Sequence, residues 1–578
     1  MANFEAILNQ REFPRGFVHQ DADLSQWNVI EPYFQELKAR EIHTHDECEK
    51  WLFDWSELSA AIAETGTVRY IEMTCDTDNA AKEAAHVHFV ENISPKCEPY
   101  NFELNKKLVG CGLCNELPER RYFVMIREIK ESIRLFRQEN IELNTQDEIL
   151  GQQYYKVCGE QQVSLGGEEL TLPQVYKRFE ETDRTVRREA WTAAVARQLA
   201  DRNKLETIFD EMLAIRQKMA EQAGFSNFLD YQFRRLGRFD YGVKDCEIFH
   251  KATEKHVLPL RNKLRAERAR KLGLGKLTPF DLDVDVEGRP PMRPFKDSAE
   301  LVEGTRRIIA GVSAELAEAY DILSEKGLLD LDSRKGKAPG GYQSTLDESR
   351  LPFIFMNAAG RNQDVFTLLH EFGHAYHALA HRNDPLHAYR GAPIEFCEVA
   401  SMGMEMMACE TLEAWFTPED AARAKENHLE SVVTLLPSIM RVDAFQHWLY
   451  RHPGHSREER AQAWRNLETR FGDDLEWPAH EEWRDCSWLR TLHYFVVPLY
   501  YIEYGIAQLG ATQLWLNFLN KREETLEKYK KGLSLGNSVP LPELFQKTGL
   551  QLRFDAKVIE PLMRKLDSEL FAKSLDRH

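Results

Sequence analysis

Residues 364–381 read DVFTLLHEFGHAYHALAH, and this stretch decides how the whole chain is interpreted. Within it, His370 and His374 are four residues apart, so on an α-helix their imidazoles lie one above the other and can bind one Zn²⁺. Glu371 lies between them, where its carboxylate can take a proton from water at the metal. The pattern predicts the centre of a metallopeptidase.

The rest of this stretch has the periodicity of an amphipathic helix. We expect the helix to start at Val365, with Asp364 as its N-cap. One face would be apolar and would carry Val365, Leu368, Leu369, Phe372, Tyr376 and Leu379. The opposite face would carry His370, His374, His377 and His381. A lone histidine is usually solvated or hydrogen-bonded in a core, but four on one face beside a glutamate favour metal binding.

The third ligand has to come from outside this helix. A catalytic zinc normally has three protein ligands and one open position. Six residues after the second histidine the chain has Ala380, which excludes a third histidine there. The following segment, residues 393–405, predicts a second helix that contains Glu395, Glu398 and Glu405. We expect Glu398 to be the ligand, whereas the other two could hydrogen-bond a ligating imidazole or be surface charges.

Most of the remaining chain predicts helices, because apolar residues recur at helical spacing among good helix formers. The clearest predicted helices are Glu31–Arg40, Glu47–Glu64, Thr185–Ala223, Ser298–Lys326, Ala421–Leu449 and Thr512–Leu533. Residues 277–294 predict a short strand and a loop instead. The apolar run Leu351–Met356 predicts an edge strand, because Pro352 lies at its head, and such a strand could pair with an extended peptide.

Length and charge limit the remaining possibilities. A chain of 578 residues predicts at least two domains, which we place at residues 1–200 (N-terminal, helical) and 201–578 (catalytic). The net charge of −18 argues against nucleic-acid and anionic-membrane partners. The N-terminus lacks a signal-peptide pattern and no apolar stretch is long enough to span a membrane, so we expect a soluble, cytoplasmic protein. The ten cysteines suit a reducing compartment, with Cys111 and Cys114 interpreted as structural thiols.

Three segments together resemble a known family. The run GGYQSTLDESRLPFIFMN at 340–357, the stretch DVFTLLHEFGH at 364–374 and IEFCEVAS at 394–401 resemble the oligoendopeptidase F and thimet oligopeptidase family of zinc peptidases, and are most similar to its Pz-peptidase branch. The resemblance implies a mainly α, zincin-type metallopeptidase with a small β element next to the zinc helix. It also implies a deep central channel that admits short unstructured peptides, one Zn²⁺ per chain, and Glu398 as the glutamate ligand.

The block HYFVVPLYYIEY at 493–504 extends the resemblance towards the C-terminus. In the family, a histidine and tyrosines from this region hydrogen-bond the substrate and the developing oxyanion. The resemblance makes His493 and Tyr504 the best candidates for this role, followed by Tyr500. If the block were one helix, these three side chains would share a face, but Pro498 predicts that a helix starts or kinks there. An aromatic stripe alone is more often core packing.

These observations predict a zinc-dependent endo-oligopeptidase that hydrolyses internal bonds of short peptides. His370, His374 and Glu398 would bind the metal, and Glu371 would be the general base. We expect a monomer or homodimer with peptide substrates. A zinc carboxypeptidase or dipeptidyl carboxypeptidase is the alternative among enzymes. A peptide-binding scaffold that kept the fold is the alternative outside them, although a binder would not need Glu371.

Overall fold

The computed structural model describes residues 12–112, 117–334, 336–338, 340–472, 474–477 and 480–571. The chain forms two compact units, each assembled from three segments. The first unit contains Met1–Arg134, Met292–Lys425 and Ala507–Leu552. The second unit contains Leu135–Pro291, Glu426–Ile506 and Arg553–His578. The division into an N-terminal domain, residues 1–200, and a catalytic domain, residues 201–578, stays a prediction.

The described residues are mostly helical, which confirms the predicted fold class. In chain order, the helices are α1 Trp27–Ala39, α2 His45–Cys75, α3 Ala80–Asn92, α4 Ser94–Gly110, α5 Glu119–Leu135, α6 Asn140–Gly159, α7 Leu172–Tyr176, α8 Arg184–Ala200, α9 Arg202–Gln222, α10 Phe228–Arg235, α11 Val243–His256, α12 Leu258–Lys271, α13 Ser298–Val312, α14 Ala314–Glu325, α15 Asn362–Ala380, α16 Ile394–Ala408, α17 Pro418–Arg451, α18 Arg457–Arg470, α19 Ile502–Asn520, α20 Arg522–Leu533, α21 Leu541–Lys547 and α22 Ala556–Phe571. No helix in the described part of the chain is long and apolar enough to cross a membrane.

Each unit has its own hydrophobic core. In the first unit, Trp51 of α2 is fully buried among side chains of α1, α4 and α5, and its indole N–H donates to the Leu37 carbonyl at 2.8 Å. The start of α2 is fixed by a capping box, in which Thr44 and Glu47 exchange side-chain and backbone hydrogen bonds. In the second unit, Phe209, Phe445, Trp464 and other aromatic side chains form the core. The chain is therefore large enough to bury two cores.

A small sheet of three strands lies in the first unit. Its strands are β3 Leu329–Asp332, β4 Tyr342–Leu346 and β5 Leu351–Ala358, in the order β3-β5-β4. The second unit contains a hairpin of β1 Gln162–Leu165 and β2 Glu168–Thr171. Because β5 is the central strand, the prediction that Leu351–Met356 forms an edge strand is wrong. Pro352 is tolerated there because pairing with β3 begins only at Ile354, beyond the proline.

The predicted strand within residues 277–294 is also wrong. This segment has a short 3₁₀ turn, Pro279–Asp281, in an otherwise irregular stretch. The buried carboxylate of Asp281 accepts hydrogen bonds from the Thr278 backbone and hydroxyl and from Arg184 and Arg187. These bonds bring Thr278 and Asp281 together in a turn, which an extended strand could not do.

Candidate metal centre and catalytic residues

The helix predicted to carry the metal ligands is α15, in the first unit, and it starts earlier than expected. Its N-cap is Arg361, so Asp364 is the third helical residue rather than the N-cap. One Asp364 oxygen accepts the backbone N–H groups of Ala359 at 2.7 Å and Arg361 at 2.9 Å. The carboxylate thus satisfies amide groups ahead of the helix from a position inside its first turn.

Helix α15 packs directly against α16, and Gly373 makes this close approach possible. A Cβ atom at Gly373 would lie 2.5 Å from the Ser401 Cα and 2.7 Å from the Ala400 carbonyl oxygen, both in the backbone of α16. Only glycine fits at such a distance. The glycine therefore brings the helix that carries the two histidines next to the helix that carries Glu398 and Glu405.

The packing of these two helices brings three predicted metal ligands together. The Nε2 atoms of His370 and His374 lie 3.4 Å and 3.7 Å from the same Glu398 oxygen. One donor atom from each of the three residues lies within 4.8 Å of the other two. Two imidazoles and one carboxylate are a usual ligand set for catalytic zinc, and their spacing fits a single ion between them.

Two further side chains orient these ligands. Glu405 accepts a hydrogen bond from His370 Nδ1 at 2.7 Å, which leaves Nε2 directed towards Glu398. The Ser401 hydroxyl lies 3.1 Å from a Glu398 carboxylate oxygen and donates to it. Such contacts fix the tautomer and rotation of a ligating group. Glu395 is buried in the first turn of α16 and does not belong to the three-residue group.

Burial and charge set the protonation of the centre. Burial raises the pKa of Glu398, but its contacts with His370 and His374 outweigh this effect and lower the pKa to about 2. Burial, together with the charge of His370, lowers the pKa of His374 to about 4. An ionised carboxylate beside a neutral imidazole is the state in which both groups can bind a metal ion.

Glu371 differs from Glu398 although both carboxylates are buried. Burial raises its pKa to about 7, and the nearby charges of Glu398 and Glu405 act in the same direction. The charge of His370 and, less strongly, a hydrogen bond donated by the backbone amide of Gln343, in strand β4, partly offset this rise of the Glu371 pKa. A carboxylate with a pKa near neutrality can both accept and return a proton.

The predicted oxyanion donors lie in the second unit. His493 is in the 3₁₀ turn Leu492–Tyr494, and Tyr504 is in the first turn of α19. The chain between them turns back through Leu499, whose φ is +66°, so the block is not one continuous helix. This turn brings His493 Nε2 to 3.4 Å from the Tyr504 hydroxyl and places the rings of His493 and Tyr500 6.0 Å apart.

Buried polar groups hold this turn in place. The Gln446 side chain accepts the backbone N–H of Leu499, and Arg238 donates to the Leu499 carbonyl, both at 2.5 Å. Burial lowers the pKa of His493 to about 4, so its imidazole is neutral near pH 7. Tyr501, which the sequence did not single out, packs edge-on against His493 with ring centroids 4.6 Å apart. It lies in the same block, so a search for every aromatic side chain near His493 would have included it.

The other two histidines of the predicted histidine face do not join the metal ligands. His377, within α15, and His381, its C-cap residue, are buried and pack edge-to-face with ring centroids 5.0 Å apart, and they lie outside the three-residue group. Cys111 is a free thiol, and Cys114 lies outside the described residues. The four-histidine face therefore divides into two ligand candidates and two buried rings.

Comparison with known proteins identifies the family. Residues 179–564 match Peptidase family M3, and residues 21–136 match the Peptidase M3 N-terminal domain. The chain belongs to peptidase family M3. This confirms the predicted family, and M3 structures support the predicted mainly α fold.

Individual M3 relatives are distant in sequence but close in structure. Group B oligopeptidase PepB of Streptococcus agalactiae serotype III (strain NEM316) is 22% identical over 66% of this chain and 63% of its own. Oligopeptidase PepF of Bacillus subtilis (strain 168) is 24% identical over 52% of this chain and 45% of its own. The matches thus span less than two thirds of these curated relatives. A solved structure of Pz peptidase A with an inhibitor is 26% identical, covers 98% of this chain and 99% of its own, and superposes with a TM-score of 0.88.

Proposed function

We propose that this M3 protein is a zinc-dependent endo-oligopeptidase that hydrolyses internal bonds of short, unstructured peptides. The observation that carries the proposal is the group formed by His370, His374 and Glu398, with Glu371 beside it on the same helix. Membership of a peptidase family supports a hydrolytic role for this group. The names of the relatives, which are oligopeptidases, support short peptides as substrates.

In this proposal His370, His374 and Glu398 hold the ion, and Glu405 keeps His370 in the tautomer that coordinates through Nε2. When bound, zinc supplies Lewis-acid polarisation of the scissile carbonyl and lowers the pKa of water. Glu371 accepts a proton from the attacking water and delivers it to the leaving amine. Its raised pKa, about 7, suits both steps, because the carboxylate of a stronger acid would accept the proton from water poorly and a weaker acid would hold it.

His493, Tyr504 and Tyr500 are proposed to donate hydrogen bonds to the oxyanion of the tetrahedral intermediate. The family resemblance is the basis for this role, and the 3.4 Å contact between His493 and Tyr504 supports joint action of these two side chains. A neutral imidazole with a low pKa can donate without carrying a charge into the buried site.

The strand proposed to bind the substrate is β4 rather than β5. In the order β3-β5-β4, strand β4 is at an edge of the sheet, and its residue Gln343 contacts Glu371 through the backbone amide. An extended peptide could add to this edge by backbone hydrogen bonds, which would place a scissile bond near the general base.

The proposal is tested by mass spectrometry of a defined peptide library incubated with the enzyme. We expect internal cleavage of short peptides, loss of cleavage after chelation, and recovery when zinc is added back. Equal cleavage of free and C-terminally amidated peptides supports an endopeptidase. Sequential release of single residues or dipeptides, only from free C-termini, would show one of the carboxypeptidase alternatives. No cleavage with tight peptide binding would show a scaffold.

The ligand assignment has a matched pair of variants on one helix. We expect Glu398→Ala to lose one bound zinc per chain and Glu395→Ala to retain it, because a Glu398 oxygen lies near both histidines and Glu395 is outside the three-residue group found among the described residues. Zinc content of the purified proteins measures the difference. Retention of zinc by the Glu398 variant and its loss from the Glu395 variant would reverse the assignment.

A further inference from the structure

A second cluster of metal-binding side chains lies in the second unit, and the peptidase reaction does not use it. Cys246 and His250 are four residues apart on α11, and Asp443 and His447 are four residues apart on α17. Each pair therefore projects from one face of its helix. The four side chains meet in the interior, and at most 3% of each residue is exposed. Pairs of ligands at this spacing on facing helices are a common way to build metal sites in helical proteins.

The distances within the cluster fit one ion. Donor atoms of Cys246, Asp443 and His447 lie within 4.8 Å of one another. His250 Nε2 lies 2.7 Å from the Asp443 Oδ2 atom, and His447 Nε2 lies 3.3 Å from the same atom. A thiolate, an imidazole and a carboxylate bind zinc at about 2.0–2.3 Å each, so small side-chain rotations would suffice.

Several polar atoms of the cluster are left without hydrogen bonds. Within the described residues, Asp443 Oδ1 and both ring nitrogens of His447 are buried and lack a hydrogen-bond partner. Buried polar groups of this kind are nearly always satisfied, and leaving one unsatisfied costs about 1–3 kcal/mol. A bound cation would satisfy the carboxylate oxygen and one imidazole nitrogen together.

The charge of the cluster points to a divalent cation. Asp443 is fully buried, and the nearby guanidinium of Arg238 is itself 2.7 Å from the Glu503 carboxylate. A buried carboxylate needs a compensating charge or a metal. One divalent cation would balance one thiolate and one carboxylate, giving a neutral centre. On binding, the Cys246 thiol would release its proton to water.

A cavity gives this cluster a route to the solvent. It has a volume of about 380 Å³ and lies within the second unit. His250 and His447 are among its lining residues, together with Glu247, Arg451 and His452. An ion could therefore reach the imidazole side of the cluster without unfolding of the unit.

We propose that Cys246, Asp443 and His447 form a second, structural site for zinc or a similar divalent transition metal, with His250 orienting Asp443 by a hydrogen bond. The ion would link α11 to the second-unit part of α17. Binding of this ion would stabilise the folded second unit, because the site does not exist in the unfolded chain. The site is independent of peptide hydrolysis.

The test uses the chain of 578 residues with its predicted catalytic centre removed by His374→Ala and Glu398→Ala together. After loading with zinc and desalting, we expect this variant to retain one zinc per chain by elemental analysis. Adding Cys246→Ser should reduce the content to none, whereas Cys486→Ser, at another buried cysteine of the second unit, should leave it unchanged. A correctly folded double variant without bound metal would overturn the proposal.

Cobalt gives a second readout, which can be taken without any substitution at Cys246, Asp443 or His447. The catalytic centre has no cysteine, so a sulfur-to-cobalt charge-transfer band from the cobalt-loaded double variant reports a thiolate ligand. We expect this band in the double variant and in its Cys486→Ser derivative, and its loss with Cys246→Ser. Bound cobalt without a thiolate band would contradict the assignment of Cys246, even if Cys246→Ser fails to fold.

Discussion

Replacement of Gly373 by alanine tests how far the metal centre depends on the packing of two helices. The new Cβ atom would lie 2.5 Å from the Ser401 Cα atom and 2.7 Å from the Ala400 carbonyl oxygen. Non-bonded carbon atoms prefer about 3.5–4.0 Å, so α15 and α16 must separate locally by about 1 Å. The backbone atoms of α16 cannot rotate away as a side chain could, so the helices themselves have to move.

The expected effects follow from this shift. Overpacking costs about 1–3 kcal/mol, and the better helix propensity of alanine returns about 0.5–1 kcal/mol. We therefore expect a net loss of about 1–2 kcal/mol in the free energy of unfolding. The same shift moves His370 and His374 away from Glu398, whose oxygen now lies 3.4 Å and 3.7 Å from their Nε2 atoms. A displacement of about 1 Å can cost a factor of about 10² in activity.

Urea unfolding and zinc competition with a chelating dye measure these two effects. Gly151→Ala is the matched control: it is also inside a helix, but the added Cβ atom would meet only side-chain atoms, at 3.9 Å. We expect this control to be neutral or stabilised and to bind zinc normally. If Gly373→Ala matched the control in both assays, close packing of α15 on α16 would not be what positions the ligands.

Three further substitutions test other parts of the account. Glu405→Gln removes the charge that orients His370, so we expect zinc affinity, measured by competition with a chelating dye, to fall about 10–100-fold. An unchanged zinc affinity would contradict this role of Glu405. Tyr504→Phe should lower kcat about 10²–10³-fold with zinc content unchanged. Unchanged steady-state kinetics would show that Tyr504 does not donate a hydrogen bond to the oxyanion. Burial raises the pKa of Asp281, but hydrogen bonds from Arg184 and Thr278 outweigh this effect and lower the pKa from 3.8 to about 2. The ionised carboxylate therefore stabilises the folded state above pH 3.8. Asp281→Asn should cost about 2 kcal/mol at pH 7 in urea unfolding, with the difference disappearing as the pH falls through 2, and a pH-independent difference would refute this origin.

The sequence predicted helices well but not their boundaries. The predicted helix Ser298–Lys326 is two helices, because the chain is extended at Ser313 between α13 and α14. Thr185–Ala223 is likewise divided at Asp201, between α8 and α9. The spacing of apolar residues continues across such short interruptions, because both helices present buried residues at helical intervals. Apolar periodicity alone therefore cannot reveal where one helix ends and the next begins.

Contacts between distant residues explain most of the other differences. Pro352 indicated an edge strand, but the sequence could not show that pairing with β3 starts two residues later, at Ile354. The block at 493–504 contained His493 and Tyr504, yet they meet through a turn at Leu499 rather than along one helix. Buried polar contacts hold that turn, and these contacts come from segments remote in sequence.

The local motif at residues 370–374 was more informative about the metal site than the sequence patterns of distant segments. The pairing of His370 with His374 follows from helical spacing alone, because residues four apart share a face, and Glu371 follows from its place between them in the motif. Glu398 required a second helix to lie alongside the first, which the sequence suggested only through the family resemblance. The structure adds the physical reason, since Gly373 permits the close approach of that helix.

The central claim is that Glu371 moves the proton at a metal centre built by His370, His374 and Glu398. Glu371→Gln tests it most directly, because glutamine has nearly the same shape but cannot accept the proton. The account predicts that this variant folds, retains the zinc content of the unaltered protein and still binds peptide, while kcat falls by at least about 10²-fold. Peptide hydrolysis at the full rate, with zinc bound, would contradict it.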